Sequence, residues 1–258
     1  MAMTSLTQNI KGKTLATEKG TSLWADAYIR LKKNKLAMLG GVVVILILIL
    51  CFIIAPILAA SGMNANEQDL TNRFAGVGEK GVLGTDQLGR DLFMRVLEGG
   101  QISLLVAIMA TCMTVTIGVI YGGIAGYVGG TLGNTMMRIV DGLLAMPFLI
   151  IVILFREIIT PYIDTLAKFL IDDWGWNDNT VLRFANLIPL TIAIAGFGWL
   201  SMGRIVRSAA ASLSKQEFVE AARSLGISHR RILFRHILPN MLGPVIIYAT
   251  LTIPSFIL

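Results

Sequence analysis

The sequence predicts an all-α bundle of helices that crosses a membrane several times. Hydrophobic residues make up 55% of the 258 residues and charged residues only 15%, against about a quarter in an average soluble domain. The apolar residues are concentrated in runs, and a run of roughly 20 mainly apolar residues is long enough to cross a bilayer. Helices satisfy their own backbone hydrogen bonds, which lipid requires. A polytopic transmembrane helical bundle is therefore the predicted fold class.

Five spans are visible as apolar runs. The first run lies too far from the start of the chain, and is too long, for a secretory signal peptide. Before it, residues 1–35 are expected to form a cytoplasmic N-terminus with an interfacial helix at residues 22–35, where aromatic residues recur beside cations. Pro147, inside the third run, predicts a kink. The predicted spans cover residues 36–60, 102–127, 139–155, 187–200 and 241–258, and the fourth, which is short, could extend to residue 205.

The charged residues predict which segments face the cytoplasm. Basic residues concentrate before the first span and in the loop of residues 206–240, and cytoplasmic loops are enriched in lysine and arginine. Acidic residues outnumber basic ones in residues 61–100, which we therefore place outside. Residues 156–186 are expected to form a second outer segment, with a short amphipathic piece and an interfacial turn. The net charge of +6 then reflects topology, and no nucleic-acid partner is expected.

A stripe of glycines lies at the end of the second span and extends into the next segment. Gly118, Gly122, Gly126 and Gly130 recur at intervals of four residues. Such a stripe lets another helix backbone approach closely. A phosphate-binding loop would need a preceding strand and a following Gly-Lys-Ser/Thr sequence, and this chain has neither. The four glycines are therefore predicted to pack against a neighbouring helix.

The basic loop contains the pattern of two short helices. Ser214 and Glu217 have the spacing of a capping box, which predicts a helix from about Lys215. Gly226 is placed to stop this helix. Ser228 is predicted to cap a second short helix, which Pro239 should end. The apolar face of the first helix is predicted to consist of Phe218, Ala221, Ala222 and Leu225, and that of the second to include Ile232, Leu233 and His236.

The sequence gives little support for a metal site, for ion-driven transport or for intramembrane proteolysis. His229 and His236 have no acidic or cysteine companions at metal-ligand spacing, so neither a metal nor a cofactor is expected. Asp141 could pair with Arg138 or cap a helix; a buried ion-pathway carboxylate is the alternative. A secondary transporter would need carboxylates deep within its spans, and an intramembrane protease a catalytic pair there. Cys51 and Cys112 lie in apolar runs and are expected to be unpaired.

The basic loop resembles the EAA loop of ABC importer permeases. The resemblance is carried by Glu220-Ala221-Ala222, then Gly226, then Leu238-Pro239. The family usually has isoleucine where this chain has His236. By this resemblance the loop contains the coupling helix that sits in a cleft of the ATPase subunit, with Glu220 in contact and Gly226 allowing the turn.

A second match indicates the C-type branch of the family that carries dipeptides, oligopeptides and nickel. It lies in the outer segment and is expected to be structural there. The matching residues are Leu83 to Leu92, among which Gly84, Thr85, Asp86, Gly89, Arg90 and Asp91 are the signature. Further matches extend the resemblance to the end of the chain, and Gly126-Tyr127-Val128-Gly129-Gly130 is one of them.

The resemblance implies the type I ABC importer permease fold, with six spans of which five are visible here. On this basis residues 101–258 would be the ABC transmembrane type-1 domain, incomplete at its C-terminus, and we expect the family's sixth span to follow. The implied partners are a second permease subunit in a heterodimer, two ATPase subunits and an extracytoplasmic binding protein. The implied location is the cytoplasmic membrane of a bacterium or archaeon. Peptides are the first expected substrate and nickel the second; the substrate-binding residues are unknown, and the subunit would not be an enzyme.

Overall fold

The computed structural model describes residues 28–29 and 31–258. Within them the secondary structure is helical, apart from one isolated bridge between Thr85 and Asp91. Of the predicted interfacial helix, residues 28–29 and 31–33 are helical, and the remainder of the N-terminal prediction lies outside the described residues. The main helices are α1 (Lys35–Ala60), α2 (Leu92–Val128), α3 (Gly130–Leu144), α4 (Phe148–Asp172), α5 (Asp178–Leu213), α6 (Glu217–Ser224), α7 (His229–Asn240) and α8 (Leu242–Ile257).

Helices α1, α2 and most of α5 are each long and apolar enough to cross a membrane. Two further spans follow if each of the bent pairs α3–α4 and α7–α8 counts as one. Within the described residues this gives up to five crossings, in agreement with the number of apolar runs in the sequence. The helical content and the several apolar helices confirm the predicted all-α membrane fold.

The chain divides into two compact units. The first ends at Glu98 and contains α1 and the polar segment that follows it; the second comprises Gly99–Leu258. Helix α1 is apolar on all sides, and no side chain of its part Lys35–Ile49 is buried. A helix of this kind belongs in lipid or against another membrane protein.

The third predicted span is broken and not merely kinked. Helices α3 and α4 meet at an angle of 93°. Pro147 is the N-cap residue of α4, with φ −64° and ψ 114°, so the chain leaves α3 and starts a new helix there. The cause is that proline lacks an N–H and disfavours helical geometry in the residue before it. The prediction of a kink inside one continuous helix was wrong.

Residues 156–186, predicted as a short amphipathic piece and a turn, are mostly helical. Helix α4 continues to Asp172, and α5 begins at Asp178. The turn between them matches the predicted interfacial turn, and its end is closed by a bond from the Trp176 amide to the Leu170 carbonyl at 3.2 Å. Helix α5 then runs to Leu213, beyond the predicted end at residue 200 and beyond its extension to residue 205, because polar side chains do not interrupt its backbone bonds.

The largest apolar core of the second unit lies where five helices meet. It joins the ends of α2 and α5 to α6, α7 and the start of α8. Its fully buried members include Val206, Val219, Ile232 and Met241. This core fixes the basic loop of the sequence analysis onto the membrane helices.

Candidate functional site

The α6–α7 pair is built around a glycine turn. The Ile227 amide donates to the Ala222 carbonyl at 3.2 Å and the Gly226 amide to the Arg223 carbonyl at 2.9 Å. These two bonds form a Schellman motif, in which the residue after the C-cap adopts a left-handed conformation. Gly226 has φ +72°. The predicted helix stop at Gly226 is therefore confirmed, and any other residue there would be strained.

The predicted capping box is not present. The Ser214 amide bonds to the Ala210 carbonyl at 2.9 Å, and its hydroxyl donates to the Ala211 carbonyl at 2.9 Å. Ser214 thus completes the last turn of α5 and does not begin α6. The N-cap of α6 is Gln216, whose side chain makes no capping bond. A serine side chain can either cap the following helix or bond back to the preceding turn, and Ser214 bonds back to the preceding turn.

The apolar face predicted for α6 lies mostly on the surface. Val219 and Ala222 are buried in the core, whereas Phe218 is 38% and Leu225 80% exposed. Ala221 and Glu220 are also exposed. The helix therefore has a second, outward apolar face that no part of residues 28–29 and 31–258 covers. This matters because an exposed leucine at a helix end is available to a partner.

Helix α7 differs from its prediction at its start. Ser228 occupies the N-cap position but its side chain makes no capping bond. The helix ends at Asn240, and the chain bends by 61° before α8 begins at Leu242, so the predicted end at Pro239 is confirmed to within one residue. The residues that face the core are Ile232, Leu233 and Ile237, while His236 is half-buried.

Tyr127, in the last turn of α2, contacts both arms of the α6–α7 pair. Its hydroxyl lies 2.8 Å from Nδ1 of His229, the first residue of α7. The guanidinium carbon of Arg223, in α6, lies 5.3 Å from the centroid of its ring. Tyr127 itself is only 8% exposed. Nothing in the sequence pattern predicted this role, because the partners are about 100 residues away.

The glycine stripe of α2 lies against α5. A Cβ atom at Gly122 would overlap the Gly203 carbonyl oxygen, and one at Gly126 the Arg207 carbonyl oxygen. At Gly118 it would meet the Met202 side chain. Gly130 is not part of this stripe: α2 has ended, Gly130 has φ +55°, and a Cβ there would meet nothing within 4 Å. Gly123 makes an additional close contact, with the Leu238 side chain.

Asp141 is paired across helices and not with Arg138. Its Oδ1 accepts a bond from Nε of Arg204 at 3.0 Å, which links α3 to α5. Both side chains are about half exposed, so the pair adds little stability by itself. Nη2 of Arg207 donates to Asn134 at 2.8 Å and makes a parallel link between the same helices.

The outer segment of the first unit is organised around Asp86. Its Oδ1 accepts the Leu88 amide at 2.8 Å and the Arg90 amide at 3.0 Å, and its Oδ2 binds the Arg90 and Arg95 side chains. Burial alone raises the pKa of Asp86, but the hydrogen bonds from Arg90, Leu88 and Arg95 outweigh it and hold the pKa well below its usual value. Asp86 therefore stays ionised at neutral pH.

The other signature residues shape the same turn. Gly84 has φ +78° and Gly89 φ +72°, and a Cβ at either would overlap a backbone carbonyl, of Ala75 or Asp69. Thr85 Oγ1 accepts the Ala75 amide at 2.9 Å. Asp91 Oδ1 accepts the Met94 amide at 3.0 Å and so caps the start of α2. Every contact here is made within the segment.

Among the described residues, no group of three histidine, cysteine, aspartate or glutamate side chains is placed to hold a metal ion. His229 is engaged with Tyr127, as above. The cysteines of this part of the chain, Cys51 and Cys112, are unpaired.

Comparison with known proteins identifies the family. Residues 115–258 match the family described as "Binding-protein-dependent transport system inner membrane component", and residues 22–76 match the "N-terminal TM domain of oligopeptide transport permease C". The first match alone covers more than half of the chain. Together with the apolar helices, it makes this chain a multi-pass inner membrane protein.

Similar proteins cover nearly the whole chain. The oligopeptide transport system permease protein OppC of Bacillus subtilis (strain 168) is 36% identical over 241 residues, 93% of this chain and 70% of that protein. OppC of Escherichia coli (strain K12) is 37% identical over 93% of this chain and 71% of its own length. The dipeptide transport system permease protein DppC of Bacillus subtilis is 37% identical over 90% of this chain and 64% of its own. The chain therefore belongs to the family of binding-protein-dependent transport system inner membrane components.

Proposed function

We propose that this chain is the permease subunit of an ABC importer for peptides, and that the α6–α7 pair is its docking site for the ATPase. A permease of this family is a non-catalytic membrane component that works with a separate ATPase and a binding protein. The observation that carries the docking proposal is the outward apolar face of α6. Phe218 is 38% and Leu225 80% exposed beside the fully buried Val219.

The shape of the α6–α7 pair suits transmission of force. The Schellman turn at Gly226 and the buried face hold both short helices on the membrane helices. The outward side carries Glu220 and Ala221 next to Leu225, and α7 adds a row of exposed arginines. A central apolar anchor with a charged rim is the usual composition of a protein interface. In this proposal Glu220, Ala221 and Gly226 serve the contact, while Ala222, Leu238 and Pro239 hold the pair in place.

Peptides are the substrate that the comparisons favour. The relatives described above are named as oligopeptide and dipeptide permeases, and no candidate nickel ligands are gathered in the described residues. Selection among peptides would rest mainly with the separate binding protein. The outer signature around Asp86 makes its contacts within its own segment, which supports a bracing role and not direct substrate binding.

The assembly would contain a second permease subunit and two ATPases, with this chain forming half of the translocation path. The N-terminus and the α6–α7 pair would face the cytoplasm. Basic residues are concentrated before the first span and in the loop 206–240, and cytoplasmic loops are enriched in lysine and arginine. Closure of the ATPases on ATP would then push both short helices and tilt the spans, which is alternating access of the hinge type.

The docking role is tested by a Leu225→Ser variant in the purified complex. We expect the variant permease to bind the ATPase about tenfold more weakly, because a buried leucine at an interface is worth about 1.5–3 kcal/mol. Leu225 is too exposed for the change to disturb the fold. Retention of the ATPase during purification, and ATP-dependent peptide uptake in vesicles, are the two measurements.

Leu70→Ser is the matched control. Leu70 is 55% exposed and lies in the outer segment, which a cytoplasmic ATPase could not reach. This variant should retain the ATPase like the wild type. If Leu225→Ser also retained it fully and peptide uptake were unchanged, the α6 face would not be the docking site.

A further inference from the structure

We propose that Tyr127 is the positioning residue that couples the α6–α7 pair to helix α2, so that movement of the pair is converted into movement of the span. The inference rests on the proposed function, since it assigns the route by which the docking site acts. Tyr127 lies in the last turn of α2, one residue before Val128 ends the helix. Tyr127 takes no part in the proposed contact with the ATPase.

The contacts of Tyr127 are placed on both sides of the Gly226 turn. Its ring faces Arg223 in α6, and its hydroxyl meets His229 in α7 at 2.8 Å. The ring of His229 also lies close, with centroids 5.8 Å apart. One side chain thus connects the two arms to each other and to α2. A change in the angle between the arms cannot occur without moving Tyr127 or breaking one of these contacts.

Directional contacts matter here because apolar packing alone would let the α6–α7 pair change its orientation on the membrane helices. Val219, Ala222 and Ile232 belong to the same core as Tyr127, and apolar contacts have little preference for orientation. A hydrogen bond and a cation over a ring face weaken steeply when their geometry changes. Tyr127 itself is 8% exposed, whereas Arg223 and His229 are exposed, so both contacts lie at the edge of the core. Tyr127 therefore sets the orientation of the pair as well as its position.

Helix α2 is suited to carry the movement onward. Its 37 residues make a rod of roughly 55 Å, longer than the hydrocarbon core of a bilayer. Gly118, Gly122 and Gly126 hold it against α5 at backbone contact. Rotation imposed at Tyr127 is therefore shared by two membrane helices. Gly123 of α2 also lies close to the pair, near the side chains of Leu238 and Leu233, but these apolar contacts have no such direction.

The test uses the full complex in vesicles, with the ATPase and binding protein present, and measures peptide imported per ATP hydrolysed. Tyr127→Phe removes only the hydroxyl and should lower this ratio about threefold, the scale of one net hydrogen bond. Tyr127→Leu also removes the ring face and should lower it about tenfold or more. In both variants the ATPase should remain bound and active.

Tyr121→Phe is the matched control. Tyr121 lies in the same helix and its hydroxyl also bonds, to the Met136 carbonyl at 3.0 Å, but it does not contact the α6–α7 pair. This variant should keep the wild-type ratio. His229→Gln should lower the ratio as Tyr127→Phe does, and the double variant should add no further loss, because both changes remove the same contact.

Two results would overturn the inference. The first is a wild-type ratio in both Tyr127 variants. The second is an equal fall of ATP hydrolysis and uptake with the ratio unchanged, which would make Tyr127 an ordinary core residue. If Tyr127→Leu does not assemble, Tyr127→Phe and the double variant decide the question. Failure of the proposed function is separate, because it would appear as full ATPase binding and normal uptake in Leu225→Ser.

Discussion

At the scale of single residues, Asp86 makes the clearest stability prediction. The carboxylate accepts bonds from two amides and two arginine side chains. Asp86→Asn removes the charge and leaves part of these donors unsatisfied, so the outer segment should loosen. Hydrogen exchange of the Leu88 and Arg90 amides, followed by mass spectrometry, should become faster. Glu67→Gln removes the same charge from an exposed position nearby and should leave exchange unchanged.

The sign of the pH dependence follows from the lowered pKa of Asp86. A carboxylate with a depressed pKa in the folded state contributes stability above its unfolded pKa of about 4, and this contribution is lost as the pH falls through the folded value. Protection of these amides, corrected for intrinsic exchange, should thus be constant from neutral pH to about pH 5 and decrease in stronger acid. Protection that increased in acid would contradict the assignment.

Little of this network could be predicted from the sequence. Arg90 follows Asp86 by four residues, but these residues form a turn, so the spacing rule for helix surfaces does not predict the pair. The Arg95 contact and the amide bonds depend on the path of the turn, which the positive φ angles of Gly84 and Gly89 set. A glycine in the sequence permits such an angle but does not reveal it. The Tyr127 contacts could not be predicted from the sequence for a different reason. They join residues about 100 positions apart, and so depend on tertiary packing.

At the scale of helices, the glycine stripe of α2 predicts a packing defect on substitution. Gly122→Ala would place its Cβ against the Gly203 carbonyl and 2.9 Å from Cβ of Val206, so α2 and α5 must separate. Overpacking of this kind costs about 1–3 kcal/mol. The melting temperature of the purified protein in detergent should therefore decrease.

Gly99→Ala is the control for this change, because it lies in the same helix and its Cβ would meet nothing within 4 Å. Alanine has the higher helix propensity, so this variant should be neutral or slightly more stable. Equal melting temperatures for the two variants would mean that α2 and α5 are not packed at backbone contact.

Helix positions were more predictable than helix ends. Hydropathy located the apolar part of each span, because the cost of placing polar groups in lipid is large, but it did not show that the third is broken at Pro147. It ended the fourth span at residue 200, or at 205 at most, although α5 reaches Leu213, since Arg204 and Arg207 are polar but fully compatible with helical backbone. The sequence near Ser214 has the spacing of a capping box, but in the structure the Ser214 hydroxyl bonds to the last turn of α5. Gly226 was predictable because a helix end with a left-handed residue strongly selects glycine.

At the scale of the whole molecule, the charge distribution of the sequence is what orients the spans. Loop residues 206–240 are rich in arginine, and the exposed cations of α7 lie on the surface of the folded chain. Residues 61–91 carry five acidic groups, of which Asp69 and Asp86 form ion pairs within that segment. Moving cations across a bilayer is unfavourable, so we expect the arginine-rich side to lie in the cytoplasm.

Cysteine labelling tests the orientation directly. In a chain with Cys51→Ala and Cys112→Ala, a cysteine is introduced at Ser61 or at Thr131, both of which are exposed. A maleimide that cannot cross membranes should label Ser61→Cys in intact cells and Thr131→Cys only after permeabilisation. This is expected because the end of α1 lies outside and the start of α3 lies in the cytoplasm if the basic loop is cytoplasmic. Labelling in the reverse pattern would place the α6–α7 pair outside the cell, away from any ATP, and would contradict both the topology and the docking site.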